Sequence, residues 1–374
     1  MTTDTSVVYL DSTMSGAPPL SGEIGKLPVL LDAGLCNGIG SITLDSLVIY
    51  NDVATGTIST GHNLALYGNT GPVILIEGAS APAAINGRVR IQTIPNATTF
   101  TFSTSGISNQ TATGTITAKR APAGWEKAFS GTNKAAYRRL DLASSQMLLR
   151  ADDAAAIYAG IKVYKDMSDI DTGDEPWPAT NRYAIKSQTA SSTVRDWFLI
   201  ADSRLFYLLV YTSASIEDSL VFGDPIPDQS GDAYFCWLCC ADQTSYGDNN
   251  LHQCDGNTSG SDLARSYTQK GGSVPSGRYA SGGQSNLGHS SGFKYPSFPG
   301  YALRAAPVRI TEGSNLWRGL APGLWSPLHD ASNHLGMQDF YQDFPELPGR
   351  TLRRVNLRTF GQSMALFDVT GPWR

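Results

Sequence analysis

The sequence predicts an all-β protein, mainly antiparallel, with a small β-sandwich followed by a larger β-rich domain. Three observations carry that expectation. The first is residues 195–211, two apolar runs (197–200 and 205–211) around the polar tetrad Ala201-Asp202-Ser203-Arg204. Aromatic and β-branched residues fill both runs and the tetrad suits a turn, which reads as a buried antiparallel hairpin. Its second run does not alternate, so both faces of that strand should be covered. The second is the spacing of β-prone runs between residues 41 and 118, where six or seven short strands recur roughly every ten residues. The third is composition. There are 38 Gly, and only 16% of residues are charged, against a usual quarter. Such a chain suits many tight turns, and a surface that meets other subunits more than water.

A chain of 374 residues is long enough for two domains or more. The net charge of −5 is mild and Lys and Arg are not clustered, so nucleic acid is not an expected partner. No apolar run approaches the roughly 20 residues of a membrane helix, and no basic-then-apolar leader is present, so membrane insertion and signal-directed export are not expected. Five cysteines, Cys36, Cys236, Cys239, Cys240 and Cys254, are an odd number without framework spacing and point to synthesis in a reducing compartment. The sequons at Asn96, Asn109 and Asn257 are then idle.

Residues 1–40 read as an amino-terminal arm, either loose or lying along a neighbouring subunit. Within it, the apolar patch 27–35, interrupted by Pro28 and Gly34, suits one short helical turn. Residues 41–118 read as the sandwich. Runs 46–50 and 53–59 flank Asn51-Asp52, two residues that tolerate the positive φ of a tight hairpin. Residues 73–77 follow. Residues 88–94 then alternate Val89 and Ile91 with polar neighbours, the period of a half-buried strand. Asn96-Ala97 turns into 98–103, and 113–118 closes the module.

Residues 119–124, with two charges, a Pro and a Gly, read as a linker, and 125–374 as the larger domain, with Trp125 and Phe129 docked on its core. Residues 146–150 form a strand turned by Asp152-Asp153. Residues 151–158 read as helix by their Ala content, or as strand by the continuation through Tyr158, Ile161 and Val163. Residues 169–178 make an acidic loop bounded by Pro. Strands are expected at 219–222, 233–240 and 302–311, and a last pair at 352–357 and 364–369. The Gly/Ser-rich stretch 257–292 is too long for an ordinary connection and reads as an excursion. Residues 316–328, with two Pro and two Trp, read as an aromatic loop. The closing Gly371-Pro372-Trp373-Arg374 is expected to be packed.

Candidate chemistry is sparse. Cys236-x-x-Cys239 with His252 and Cys254 has the ligand count of a structural zinc. Alternation puts Cys236 and Cys239 on opposite strand faces, and buried thiols that pack as small hydrophobes are the competing reading; a Cys240–Cys254 bridge is a third. The carboxylates Asp152, Asp153, Asp169, Asp171, Asp174 and Glu175 show neither the fixed separation of a glycosidase pair nor calcium-loop spacing. The histidines His62, His289, His329 and His334 are scattered, and His329-Asp330 lacks a nucleophile elbow. Gly271-Gly272 and Gly282-Gly283 match no phosphate loop. No catalytic residue, metal or cofactor is therefore expected, and an enzyme is not the expected class. Trp317, Trp325, Tyr279, Tyr295, Tyr341 and Phe344 have the composition of an adaptable contact surface. Trp317 and Trp325 read equally as covers over a core.

Some segments resemble known proteins. Gly61-His62-Asn63, Gly71-Pro72-Val73-Ile74-Leu75-Ile76, Ile85-Asn86-Gly87 and Thr98-Thr99-Phe100-Thr101-Phe102 look like a β-sandwich module of bacteriophage tail and baseplate proteins. Residues 124–138 are similar to a segment of phage virion proteins. So are Trp197-Phe-Leu-Ile-Ala-Asp202, Phe222-Gly-Asp224, Gly231-Asp-Ala-Tyr234 and the closing Asp368-Val-Thr-Gly-Pro-Trp-Arg374. The resemblance implies a structural subunit of a tailed-phage virion, made in the bacterial cytoplasm. Its place would be the tail tip, baseplate or fibre attachment, and its partners other virion proteins and copies of itself. A receptor-binding tailspike that recognises a host surface glycan, and a capsid decoration protein, are the alternative roles.

Overall fold

The central hairpin forms as its residues dictate. In the computed structural model, Trp197–Ala201 and Leu205–Ser213 pair antiparallel from Trp197↔Val210 to Ala201↔Phe206. Asp202 makes the turn: its Oδ1 accepts the N–H groups of Arg204 (2.8 Å) and Leu205 (2.7 Å), the local bond that suits Asp to turns. The structure describes residues 4–213, 216–244, 251, 254, 256, 258–280, 287, 304–328, 339–342, 344–357 and 363–374.

The hairpin lies in a thirteen-stranded sheet. Its order is Val8–Asp11, Trp197–Ala201, Leu205–Ser213, Ile216–Gly223, Trp237–Cys239, Ser261–Leu263, Val274–Tyr279, Ala305–Glu312, Leu316–Pro327, Met364–Asp368, Leu352–Asn356 and Phe340–Tyr341. Ile226–Pro227 pairs beside this path with Leu316–Pro327. Along the second hairpin strand, Leu205, Tyr207 and Leu209 join one core, with Trp237, Ile310, Leu324 and Phe367. Phe206, Leu208 and Val210 join another. Both faces are covered, which is why the apolar run does not alternate. Each such side chain contributes about 1.5–3 kcal/mol by leaving water.

The second core is completed by a five-stranded sheet, in the order Trp125–Gly131, Lys134–Arg139, Leu148–Asp152, Tyr158–Tyr164, Trp177–Ile185. The helix Lys26–Leu31 buries Leu27, Leu30 and Leu31 into the same core. The first and last strands of the large sheet meet: the rings of Tyr9 and Phe340 lie 5.7 Å apart, edge to face.

Residues 39–120 make an eight-stranded path with its own core of Leu47, Ile49, Ile74, Ile91, Phe100, Phe102 and Ile116. Asn51 and Asp52 have φ of 49° and 60° and join Ser46–Tyr50 to Val53–Thr57, the two-residue turn expected of them. The strand Gly87–Asn96 is shared, pairing first with Val73–Ala81 and then with Thr99–Ser103. Gly56 is required where it stands, because a Cβ there would meet the Phe100 ring at 2.6 Å.

Several expectations change. Within the expected arm, residues 4–40 are not loose: Val8–Asp11 is an edge strand paired with Trp197–Ala201, and Leu20, Leu27 and Leu35 are core. Sequence reading missed this because the partner strand lies far along the chain. In the 119–124 linker, Ala121 and Ala123 are fully buried, and their N–H groups donate to Val73 O (3.1 Å) and Gly34 O (2.9 Å). The acidic loop contains a small hairpin, Asp166–Asp169 with Thr172–Asp174. The 257–292 excursion contributes Ser261–Leu263 and Val274–Tyr279 to the large sheet, and residues 281–286 and 288–303 lie outside the described residues. The aromatic loop 316–328 is a strand, Leu316–Pro327. Its Pro322 and Gly323 fall where the ladder slips between Leu320↔Arg309 and Trp325↔Pro307, a bulge that needs no donor from proline. Between Leu148–Asp152 and Tyr158–Tyr164, Asp153 to Ile157 connect strands without a helix.

Candidate functional site

The place where the large sheet nearly closes is the most elaborate feature of the surface. Tyr67, from the small module, enters it, 5.0 Å from Tyr9 and stacked on Phe340 at 5.1 Å. Arg353 lies over Phe198 (4.8 Å) and Phe340 (5.2 Å) and forms an ion pair with Asp339 at 2.6 Å. Tyr9 donates its hydroxyl to Asp11 Oδ2 (2.8 Å), while Asp11 Oδ1 takes the N–H and hydroxyl of Thr13. These residues line a cleft of about 680 Å³ together with Asp196 and Tyr211. The rings spend their faces on one another and on Arg353. The arrangement therefore closes a seam, joining small module, amino-terminal strand and last strand.

Burial pushes the Tyr67 phenol up to about 12 and Tyr9 well above its usual value. The folded values exceed the unfolded value of about 10, so the unfolded chain loses these protons first and stability drains as pH rises from about 10 to 12. Absorbance titration should find fewer phenolates in the native protein than in denatured chain at about pH 11. Equal numbers would contradict the buried seam.

The small module is clasped at further points. Thr70 and Thr351 share a hydroxyl bond of 2.7 Å, and Arg120 donates to Tyr67 Oη (3.2 Å) and Asn63 O (3.1 Å). His62 shapes this loop: Nδ1 accepts the Leu64 N–H (3.0 Å), so Nε2–H donates to Asn96 O (2.9 Å). The guanidinium of Arg90 donates to the carbonyls of Asp4, Val7, Gly71, Val369 and Thr370. One buried cation thus holds both ends of the chain and the small module.

The residues singled out from sequence are dispersed. Cys236 and Cys240 belong to the core under the five-stranded sheet, whereas Cys239 and Cys254 belong to the core inside the curl. His252 lies outside the described residues. No disulfide joins any of the five cysteines. Burial raises the thiols of Cys236 and Cys36 to about 12 and those of Cys239 and Cys240 above their usual range. A disulfide reagent at about pH 8 should therefore react slowly or not at all with native protein and with all five thiols after denaturation. Rapid native labelling of Cys236 or Cys239 would refute this packing. Among the described residues, no three His, Cys, Asp or Glu side chains converge as metal ligands would.

Of the aromatic candidates, Trp317 is 50% exposed, with the Arg309 guanidinium 3.8 Å from its ring centre. Tyr279 sits across from Arg309 in the ladder and donates its hydroxyl to Ser314 O. Tyr341 and Phe344 are buried, with Trp325 packed against them beside Leu352 and Leu366. They are core, because Leu316–Pro327 and Leu352–Asn356 are strands whose apolar sides need covering. Tyr295 lies outside the described residues, as do His289, His329 and His334. Asp171 pairs with Lys134 and Arg150, both at 2.7 Å. Sequence reading missed the buried cations Arg90, Arg139, Lys186 and Arg318; each stands among ordinary neighbours and carries no local signal.

No family model matches this sequence, and no curated protein matches it either.

Proposed function

We propose that the chain is a structural subunit of a tailed-phage particle, placed at the tail tip, baseplate or fibre attachment and acting by assembly with itself and other virion proteins. The reading rests on the segments that resemble virion proteins and on one structural observation: large apolar side chains stand exposed on a body whose parts are locked together. Leu140 and Leu142, on the loop after Lys134–Arg139, are 57% and 87% exposed, and Tyr50 is 66% exposed. Exposed apolar groups gain free energy when a partner covers them, and a symmetric assembly multiplies each such contact. Internal locking lowers the ordering cost of association.

The test is to image intact particles with a gold-labelled antibody against the purified chain. Label at the tail end is expected. Label on the head, or none on particles that package DNA normally, overturns the assignment. Light scattering on the purified chain is the second readout, with Leu140→Ser/Leu142→Ser expected to weaken self-association or incorporation while leaving the fold intact.

A further inference from the structure

Asp153 and Lys186 belong neither to the seam nor to the Arg90 clasp. Asp153 follows Leu148–Asp152 and Lys186 follows Trp177–Ile185, two strands that flank Tyr158–Tyr164 in the five-stranded sheet. Their side chains are 0% and 1% exposed and touch through Lys186 Nζ and Asp153 Oδ1. Asp153 Oδ2 accepts the Leu27 N–H at 2.8 Å, and Oδ1 faces the Lys186 ammonium. Lys186 Nζ donates to Glu23 O (2.7 Å) and Ala155 O (3.2 Å). Burial acts on both groups in the same sense, raising the Asp153 carboxyl and lowering the Lys186 ammonium. Each is driven toward its neutral form.

A neutral amine has two hydrogens and one lone pair. The carbonyls of Glu23 and Ala155 engage the two hydrogens, which leaves the lone pair for the Asp153 carboxyl that Nζ touches. We propose that Lys186 and Asp153 condense into an intramolecular isopeptide bond. Nζ attacks Cγ of the protonated carboxyl, and the Leu27 N–H stabilises the charge that develops on Oδ2. The C–Oδ1 bond then breaks. Oδ1 leaves with its own proton and one from nitrogen, as a single water. The product is a secondary amide that keeps one N–H for a backbone carbonyl. No oxidant, reductant or second reactant is needed. Fixed contact in a site closed to water makes the step unimolecular, and the amide leaves no ionisable pair where either charged form is costly to desolvate.

The experiment is intact mass and peptide mapping of the purified full-length chain. The expected wild-type mass is that of the sequence less one water, with a branched peptide joining the segments that carry Asp153 and Lys186. Lys186→Arg is expected at its full sequence mass. Asp153→Asn is expected to give the same branched peptide, by loss of ammonia. A wild-type chain at full mass overturns the proposal. So does a missing water that maps elsewhere, such as a cyclic imide, or one that persists in Lys186→Arg. The wild-type spectrum decides the matter even where a variant fails to fold.

Discussion

Arg318→Ala is expected to lower the unfolding free energy by about 3–5 kcal/mol, the cost of removing one partner from a buried ion pair. Arg318 meets Asp232 as a fork, Nε to Oδ2 at 2.9 Å and Nη2 to Oδ1 at 3.0 Å. Its side chain is wholly buried and that of Asp232 nearly so. Nη1 also reaches Glu312 Oε2 (2.7 Å) and Arg265 O (3.1 Å). Loss of the cation leaves the Asp232 carboxylate in a low-dielectric site without its counter-charge, and that penalty dominates. Lysine does not rescue it, because a point charge cannot reproduce the fork. The control is Lys165→Ala, whose partner Glu175 is half exposed like itself; solvent screening should keep its midpoint close to that of the unaltered protein. Urea midpoints compare the two at constant slope. A shift for Arg318→Ala no larger than the control would remove Arg318 from the stabilising framework.

Arg90→Ala should act on one region. Its guanidinium serves five carbonyls, including Gly71 and Thr370 at 2.8 Å. Each buried carbonyl left without a donor costs about 1–3 kcal/mol, so the sum is expected to exceed about 3 kcal/mol even after water enters. Burial lowers Arg90 to about 10, so the clasp stays cationic at neutral pH. Hydrogen exchange should accelerate first in Val8–Asp11 and Met364–Asp368, the strands next to the released carbonyls, while the cores of both sheets stay protected. Unchanged protection at those two strands would show that the small module and the ends are held by the seam alone. Arg90→Lys is expected to recover little of the loss, since three donors on one nitrogen cannot span that set.

The all-β class and the central hairpin were legible because periodicity and turn chemistry are local. The unalternating run 205–211 meant two cores, and two cores are found. Asn51-Asp52 meant a tight turn, and their φ values are those of one. Leu316–Pro327 was misread as a loop because Pro and Gly normally punctuate strands; here they sit at a bulge, which only the partner strand defines. Val8–Asp11 was misread because a four-residue strand carries almost no pattern. The closing seam and the buried cations were invisible for a related reason. Arg90, Arg318 and Lys186 look like surface residues in sequence, and only tertiary pairing with residues far along the chain makes their burial tolerable.

The large sheet takes its first strand from residues 8–11 and its central pair from residues 197–213. During synthesis the nascent Val8–Asp11 segment must therefore wait roughly ten seconds or longer for its neighbour to leave the ribosome. The eight-stranded module, made entirely in that interval, can fold meanwhile. The Arg90 guanidinium lacks two of its five carbonyls until Val369 and Thr370 emerge. Vectorial translation thus leaves an apolar strand edge uncovered while about half of the chain is made, and a holdase chaperone would find its substrate in that intermediate.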